Sequence, residues 1–341
     1  MRKGSDLHVV AGDPPRMRVH GELITLANQS LDPEELQGAL LGIMSQSLID
    51  HFNEHDSADF AHFIPEVARF RVNVFRHLNG VGAVFRGIPS RALTLEELKM
   101  PRAVKTLSRA HQGLILVTGK TGSGKSTTLA AMVDAINDRL NGHILTIEDP
   151  IEFVHERKNC LISQREIGAH TGTFAGALHS ALREDPDVIL VGELRDLETM
   201  SIAMTAAEMG ILVMGTLHTN GAGATIDRVI NIFPSDKQDH VRNMLSTSLR
   251  GVVSQQLCRT ADGTGRAAAL EILVNTSAIA NLIRQGKLDQ IENTMQSSAS
   301  DGMCVMDGSL KRLMDSGTIS GQEAYMQAFD KKKFEEYKDF A

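Results

Sequence analysis

Two rhythms of apolar residues run along the chain. In the stretch Arg69-Phe70-Arg71-Val72-Asn73-Val74-Phe75-Arg76 they alternate, which predicts a strand with Phe70, Val72 and Val74 inward and arginines on the other face. Val81-Gly82-Ala83-Val84-Phe85-Arg86 predicts a second strand, joined to the first through Asn79-Gly80, with Arg86 closing it. Upstream, residues 5 to 26 read as short strands with turns: Leu7-His8-Val9-Val10, the turn Gly12-Asp13-Pro14-Pro15, then Arg16-Met17-Arg18-Val19-His20 and Gly21-Glu22. Asp32-Pro33-Glu34-Glu35 opens a helix, with Asp32 or Ser30 as N-cap and proline at the first position. Leu36, Leu40, Leu41 and Met44 continue it at helical spacing. The sum is a small α/β domain over 1–98 whose paired strands carry arginines with few carboxylates nearby.

Beyond residue 113 the rhythm changes. The stretches 113–118, 143–148, 187–192 and 211–217 are apolar along most of their length, as parallel strands covered on both faces are. Helical patterns separate them, so a second domain over 99–274 is expected to form a doubly wound parallel sheet. Leu93-Thr94-Leu95-Glu96-Glu97-Leu98 and Pro101 read as a linker with a short helix. Residues 275–341 read as helices: Ile279, Leu282 and Ile283 share a face, followed by Leu288 and Ile291. The tail from Asp330 to Lys338 reads as a solvated, charged helix end.

Composition narrows this picture. The 35 basic and 42 acidic residues leave a net charge of −7, so there is no electrostatic footprint for nucleic acid, and none is expected as a partner. Cys160, Cys258 and Cys304 lie far apart with no C-x-x-C spacing, which predicts a reducing compartment and neither zinc site nor disulfide framework. No apolar run reaches membrane-spanning length, and Met1-Arg2-Lys3-Gly4-Ser5-Asp6 lacks a signal-peptide core, so a cytoplasmic location is expected. The 15 methionines read mainly as core filler.

The chemistry starts after the first of the apolar runs. Leu114-Ile115-Leu116-Val117 leads into Gly119-Lys120-Thr121-Gly122-Ser123-Gly124-Lys125-Ser126, and Thr127 begins a helical pattern. Strand, glycine loop and helix together make G-x-x-x-x-G-K-[ST] a phosphate-binding loop. Glycines let successive N–H groups face one anion, and the helix N-terminus adds partial positive charge. Lys125 is expected to reach the β- and γ-phosphates and Ser126 to hold Mg²⁺. The other strands of this set end in polar residues on the same side: Glu148-Asp149-Pro150, Gly192-Glu193-Leu194-Arg195-Asp196 and His218-Thr219-Asn220. Glu193 stands where an acidic residue holds Mg²⁺ through water, Glu148 or Asp149 where one orients or deprotonates the attacking water, and His218 where one senses the γ-phosphate. Asp185 and Asp187 flank the opposite end of their strand and read as turn or capping residues. No N-K-x-D string is present, which favours ATP over GTP.

The order G-K-T-G-S-G-K-S-T, T-I-E-D-P-I-E (146–152), A-L-R-E-D-P-D-V-I-L-V-G-E-L-R-D (181–196) and M-G-T-L-H-T (214–219) resembles the secretion ATPase superfamily. Within it, the chain looks like the twitching-motility (PilT-type) retraction ATPases of type IV pili. The four segments correspond to that family's Walker A, Asp box, Walker B and His box. Ser5-Asp6-Leu7-His8, Pro14-Pro15, Ala68-Arg69-Phe70-Arg71-Val72-Asn73, Val84-Phe85-Arg86 and Ala278-Ile279-Ala280-Asn281-Leu282-Ile283-Arg284-Gln285 extend the resemblance over almost the whole chain. It implies a PAS-like N-terminal domain, a RecA-like ATPase core with a C-terminal helical segment, and a homohexamer with ATP and Mg²⁺ between subunits. It implies Glu148 as the water-activating residue, Glu193 as the Walker B glutamate, and Arg195 and His218 lining the same site. By motif match, Arg71 and Arg86 are the arginines that reach the γ-phosphate.

As partners the resemblance implies an inner-membrane platform protein and the pilus machinery, holding the protein peripherally at that membrane, and it leaves room for a paralogous retraction ATPase. The chain departs from the pattern at Lys120, where proline is usual, and at Ile211, where the His box usually opens with a histidine. It departs again at Ala280 and Gln285, which replace an arginine and a glutamate in a string tied to retraction. The helix usual before Ser5 is expected to be shortened or missing. Other readings are a pilus-extension, type II or type IV secretion ATPase, a DNA-directed RecA-like motor, and a non-hydrolysing nucleotide switch. Extension and type II ATPases usually carry a four-cysteine zinc insert that three scattered cysteines do not supply.

Overall fold

A computed structural model describes residues 4–19, 22–65, 67–88 and 91–338. The chain folds as two units, Met1–Arg91 with Glu152–Val154, and Ala92–Ile151 with His155–Ala341. Met1, Arg2, Lys3, His20 and Gly21 of the stretches read above lie outside the described residues.

The first unit is a six-stranded antiparallel sheet with helices on one face. Its elements are β1 (Asp6–Val10), β2 (Arg16–Val19), β3 (Glu22–Thr25), α1 (Pro33–Gly42), α2 (Gln46–His55), β4 (Ser57–Ile64), β5 (Ala68–His77) and β6 (Gly80–Ile88). The order across the sheet is β3-β2-β1-β6-β5-β4. Leu36, Leu40 and Met44 pack with Phe52, Val72, Val74 and Ala83 into one core. The Asp32 carboxylate accepts from the N–H groups of Glu34 and Glu35 with Pro33 behind it, so the cap and the proline start α1 as expected. The alternation of β5 is seen too, with Val72 and Val74 buried and Arg71 exposed. Helix α2 and strand β4 carry weaker signals: only Phe52 in α2 and Ala58 in β4 are fully buried.

Two expectations for this unit are corrected. Arg86 lies two residues inside β6 rather than at its end. The arginines do have carboxylates nearby. Arg86 Nε lies 2.7 Å from Asp6, Arg76 Nε 2.9 Å from Asp56 and Arg71 Nε 3.8 Å from Asp59. Asp6 precedes Arg86 by 80 residues, and only the sheet order brings the two together.

The second unit contains α3 (Arg102–Leu107), β7 (Gly113–Thr118), α4 (Lys125–Asn137), β8 (His143–Glu148), β9 (Leu161–Glu166), α5 (Phe174–Ala181), β10 (Val188–Val191), α6 (Leu197–Glu208) and β11 (Leu212–Leu217). It continues with α7 (Ala222–Asn231), α8 (Gln238–Ser248), β12 (Leu249–Arg259), β13 (Arg266–Val274), α9 (Ser277–Gln285), α10 (Ile291–Ser297), α11 (Met306–Asp315) and α12 (Gly321–Gln327). The sheet order is β13-β12-β7-β11-β10-β8-β9, parallel throughout except that β13 returns antiparallel along β12. Leu114 and Leu116 of β7 face α5 to α10, while Ile115 and Val117 face α3 and α4. Two-sided burial is why the strand reads as an unbroken apolar run. A separate cluster joins Cys258 and Ala269 of the β12–β13 hairpin to Met306, Leu310, Ala324 and Phe334.

The doubly wound class is thus what the periodicity predicts, with three further strands. β9 sits at an edge with Leu161 exposed. β12 carries Ser254, Gln255 and Gln256 in its middle, which breaks the apolar run that would have marked it. The stretch read as a linker is core: Leu95 and Met100 are buried among α3 and α4, held by a reciprocal pair in which Glu97 N–H donates to Thr94 Oγ1 and Thr94 N–H to Glu97 Oε2. The charged tail is anchored too, because Phe334 is buried in the cluster around Cys258. Among the described residues no helix is long and apolar enough to cross a membrane.

Candidate active site

The phosphate loop hangs between β7 and α4. Gly124, left-handed at φ 87°, forms the N-cap, and α4 begins at Lys125 with Ser126 and Thr127 in its first turn. The Lys125 side chain is buried, and its Nζ donates to the carbonyls of Gly119 at 3.0 Å and Lys120 at 3.1 Å, so the lysine braces the loop from within. Ser123 Oγ is buried with no hydrogen-bond partner among the described residues. Thr121 and Gly122 at the apex are exposed, and a Cβ on Gly122 would meet nothing within 4 Å. A buried ammonium, an orphaned hydroxyl, an open apex and a helix N-terminus fit a phosphate group.

The parallel register brings the other candidates to the same sheet edge. Ile147, Val191 and Gly215 stand in one row across β8, β10 and β11, and Leu217 pairs with Thr118 of β7. Glu148, Glu193, His218 and Gly119 therefore lie at the carboxyl ends of four adjacent strands, where ligands of such sheets bind. The loop after β10 is tied to both neighbours: Gly192 N–H donates to Ile147 O at 2.7 Å, and Thr216 Oγ1 donates to Gly192 O at 2.6 Å. A Cβ on Gly215 would come within 2.6 Å of Leu194 Cδ1, so the glycine of M-G-T-L-H-T makes room for this loop.

Glu148 Oε1 accepts from Thr146 Oγ1 at 2.7 Å and from Gln164 Nε2 at 3.3 Å, while Asp149 is exposed. Glu193 Oε1 is held by Arg195 Nε at 2.6 Å and lies 3.1 Å from His218 Nε2. Burial pushes the Glu193 carboxyl up, but the Arg195 hydrogen bond and the charge of His218 outweigh it and leave the group below its ordinary range. Asp187 accepts from His143 N–H at the opposite strand end, as a capping residue does. Arg71 and Arg86 belong to the first unit, where they are neighbours on one sheet face.

Sequence reasoning missed several residues that hold this edge in place. Gln164 went unseen with its strand, although Thr146 and Gln164 are direct partners across β8 and β9. Gln255 of β12 is buried and bonds to the phosphate loop and to α4. On the other side of the same hairpin, Ser254 Oγ accepts from Gly221 N–H and the buried Glu271 from Ala222 N–H, pinning the start of α7 just past the His box. Glu271 also accepts from Met306 N–H at the start of α11. Burial pushes its carboxyl up, these two N–H groups lower it, and the charges of Glu292 and Asp307 help leave it above its ordinary range. Polar residues inside an apolar strand were the available signal.

The profile of the family described as Type II/IV secretion system protein matches residues 5–303. The chain is 52% identical over 324 residues to the type IV pilus retractation ATPase PilT of Pseudomonas aeruginosa, covering 95% of this chain and 94% of that protein. It is 42% identical over 325 residues to the type IV pilus ATPase PilU of the same organism, covering 95% of this chain and 85% of that one. A crystal structure of the pilus retraction motor PilT with bound ADP superposes with a TM-score of 0.92 at 44% identity, covering 98% of this chain and 96% of the other. The resemblance first visible in four short motifs thus extends through both units, and the chain belongs to the type II/IV secretion system protein family.

Proposed function

We propose that this protein hydrolyses ATP and uses the energy to drive type IV pilus retraction. What supports the reading most is a phosphate loop with Glu148, Glu193 and His218 along one sheet edge, in a chain half identical to a pilus retraction ATPase. In this reading the loop N–H groups and Lys125 bind the β- and γ-phosphates, with Gly119, Thr121, Gly122, Ser123, Gly124 and Thr127 shaping the cradle. Ser126 and Glu193 would hold Mg²⁺, Glu193 through water, and the ion would neutralise charge on the phosphate oxygens. Glu148, fixed by Thr146 and Gln164, orients the attacking water and takes its proton. Arg195 and His218 steady Glu193. Arg71 and Arg86 bring positive charge to the γ-phosphate.

The working form we propose is a homohexamer with nucleotide between subunits, acting from the cytoplasm on an inner-membrane platform protein. A paralogous retraction ATPase is a further partner. Deleting the gene in the source cell tests the direction of force. Surface pili that assemble but no longer retract support a retraction motor, whereas loss of the pili themselves points to extension.

A further inference from the structure

We propose that Gln255, at the centre of β12, is a positioning residue that sets the phosphate loop for nucleotide. The inference rests on the phosphate-loop part of the function proposed above. Gln255 Nε2 donates to Ser123 O at 2.7 Å, and Gln255 Oε1 accepts from Thr128 Oγ1 at 2.7 Å. Ser123 O can only accept, so it takes the amide NH₂ and leaves the amide oxygen to the Thr128 hydroxyl. One side chain thus grips the last turn of the loop and the first turn of the helix together.

The consequence follows from peptide geometry. In a planar trans peptide the C=O of one residue and the N–H of the next point in opposite directions. Holding the Ser123 carbonyl against β12 therefore turns the Gly124 N–H away from β12 and leaves it to serve as a donor to an anion. Two loop glycines accommodate this strand. A Cβ on Gly119 would lie 2.3 Å from Gln255 O, and one on Gly124 would lie 2.7 Å from Gln255 Nε2. At these positions the glycines of the motif answer to β12 as well as to phosphate. The amide and both its partners are buried in the folded chain, Gln255 at 2% exposure, Thr128 at 0% and Ser123 at 6%, so water does not replace the bonds when one is removed.

The test is MgADP affinity of the full chain, read with a fluorescent ADP analogue, beside apo thermal stability. Gln255→Met keeps the length of the side chain and loses both bonds; it is expected to weaken binding about tenfold or more, the worth of one or two hydrogen bonds. A second pair of variants decides even if Gln255→Met fails to fold. Thr128→Val keeps the shape and loses the hydroxyl, whereas Thr128→Ser loses a methyl and keeps the hydroxyl. Positioning through the amide predicts that valine weakens MgADP binding several-fold while serine stays near wild type; a role in packing alone predicts the reverse order. Gln255→Met that folds and binds MgADP like wild type, or Thr128→Ser that binds worse than Thr128→Val, overturns the proposal. Failure of the wild-type chain to bind MgADP would overturn the phosphate-loop reading itself.

Discussion

Arg71 of β5 and Arg86 of β6 are direct cross-strand partners, so two guanidinium groups stand side by side on one face of the first unit's sheet. Like charges placed directly opposite cost stability. The sheet offsets the cost from outside the pair: Asp6, the partner of Arg86 on β1, lies 2.7 Å from its Nε, and Asp59 lies 3.8 Å from Arg71. Burial pushes the Asp6 carboxyl up, and the Ser5 hydroxyl with Arg86 pulls it below its ordinary range. Two like charges held together by borrowed counter-ions suit a site that meets a polyanion.

The pair should separate stability from turnover. Arg86→Ala leaves the buried Asp6 without its cation and is expected to lower the melting temperature. Arg71→Ala relieves the like-charge pair and is expected to leave it unchanged or higher. Both variants should slow ATP hydrolysis far more than they weaken ADP binding. The loss should fall below the 10³–10⁵ seen for arginine fingers elsewhere, since two arginines share the work and product release limits many cycles. Assembly mass, ADP affinity and turnover measured together decide it. Full turnover by both variants in intact assemblies would leave these arginines a structural role.

Glu193 should give a pH signature. Its carboxyl stays ionised below the ordinary range because Arg195 and His218 face it. Arg195→Ala and His218→Ala each remove one of the groups that lower it, so burial raises the carboxyl against less opposition. The acid limb of the pH–rate profile is then expected to move to higher pH in each variant. Profiles that superpose on wild type would show that Glu193 does not limit turnover on the acid side.

His155 should make the fold acid-sensitive. Its Nδ1 is buried without a partner among the described residues, and burial lowers the imidazole from 6.5 to about 4. The unfolded chain therefore takes up a proton that the folded chain refuses, and stability falls as pH drops from 6.5 toward 4. The whole shift is worth about 3 kcal/mol. Denaturant midpoints at pH 7 and pH 5 should fall less in His155→Gln than in wild type, and equal falls would remove His155 from the account.

The parts legible in the sequence were those where one physical demand acts alone. Leu114-Ile115-Leu116-Val117 is covered on both faces, so its apolar run announced a central strand, and the glycine loop behind it announced phosphate. The strand-end rule then singled out Glu148, Glu193 and His218 without any coordinates. Strand β12 stayed hidden because Ser254 and Gln255 serve two neighbours at once, the start of α7 on one side and the phosphate loop on the other. Their polarity has a partner only after the chain has folded. Asp6 beside Arg86 is the same lesson at longer range, since no local pattern links residues 80 positions apart. Leu95 lies in a stretch too short to show a period, and Phe334 is a single apolar residue among charged ones, so they read as linker and solvated tail.

The central claim is that one site at this sheet edge hydrolyses ATP, and Glu148→Gln tests it most directly. The amide keeps the size of the carboxylate and loses its ability to take a proton. Steady-state phosphate release should be measured on purified wild type, Glu148→Gln and Lys125→Ala, with ATP affinity measured alongside. The account predicts turnover by wild type, near-normal ATP binding with turnover abolished in Glu148→Gln, and loss of both in Lys125→Ala. Phosphate release by Glu148→Gln at the wild-type rate would contradict it.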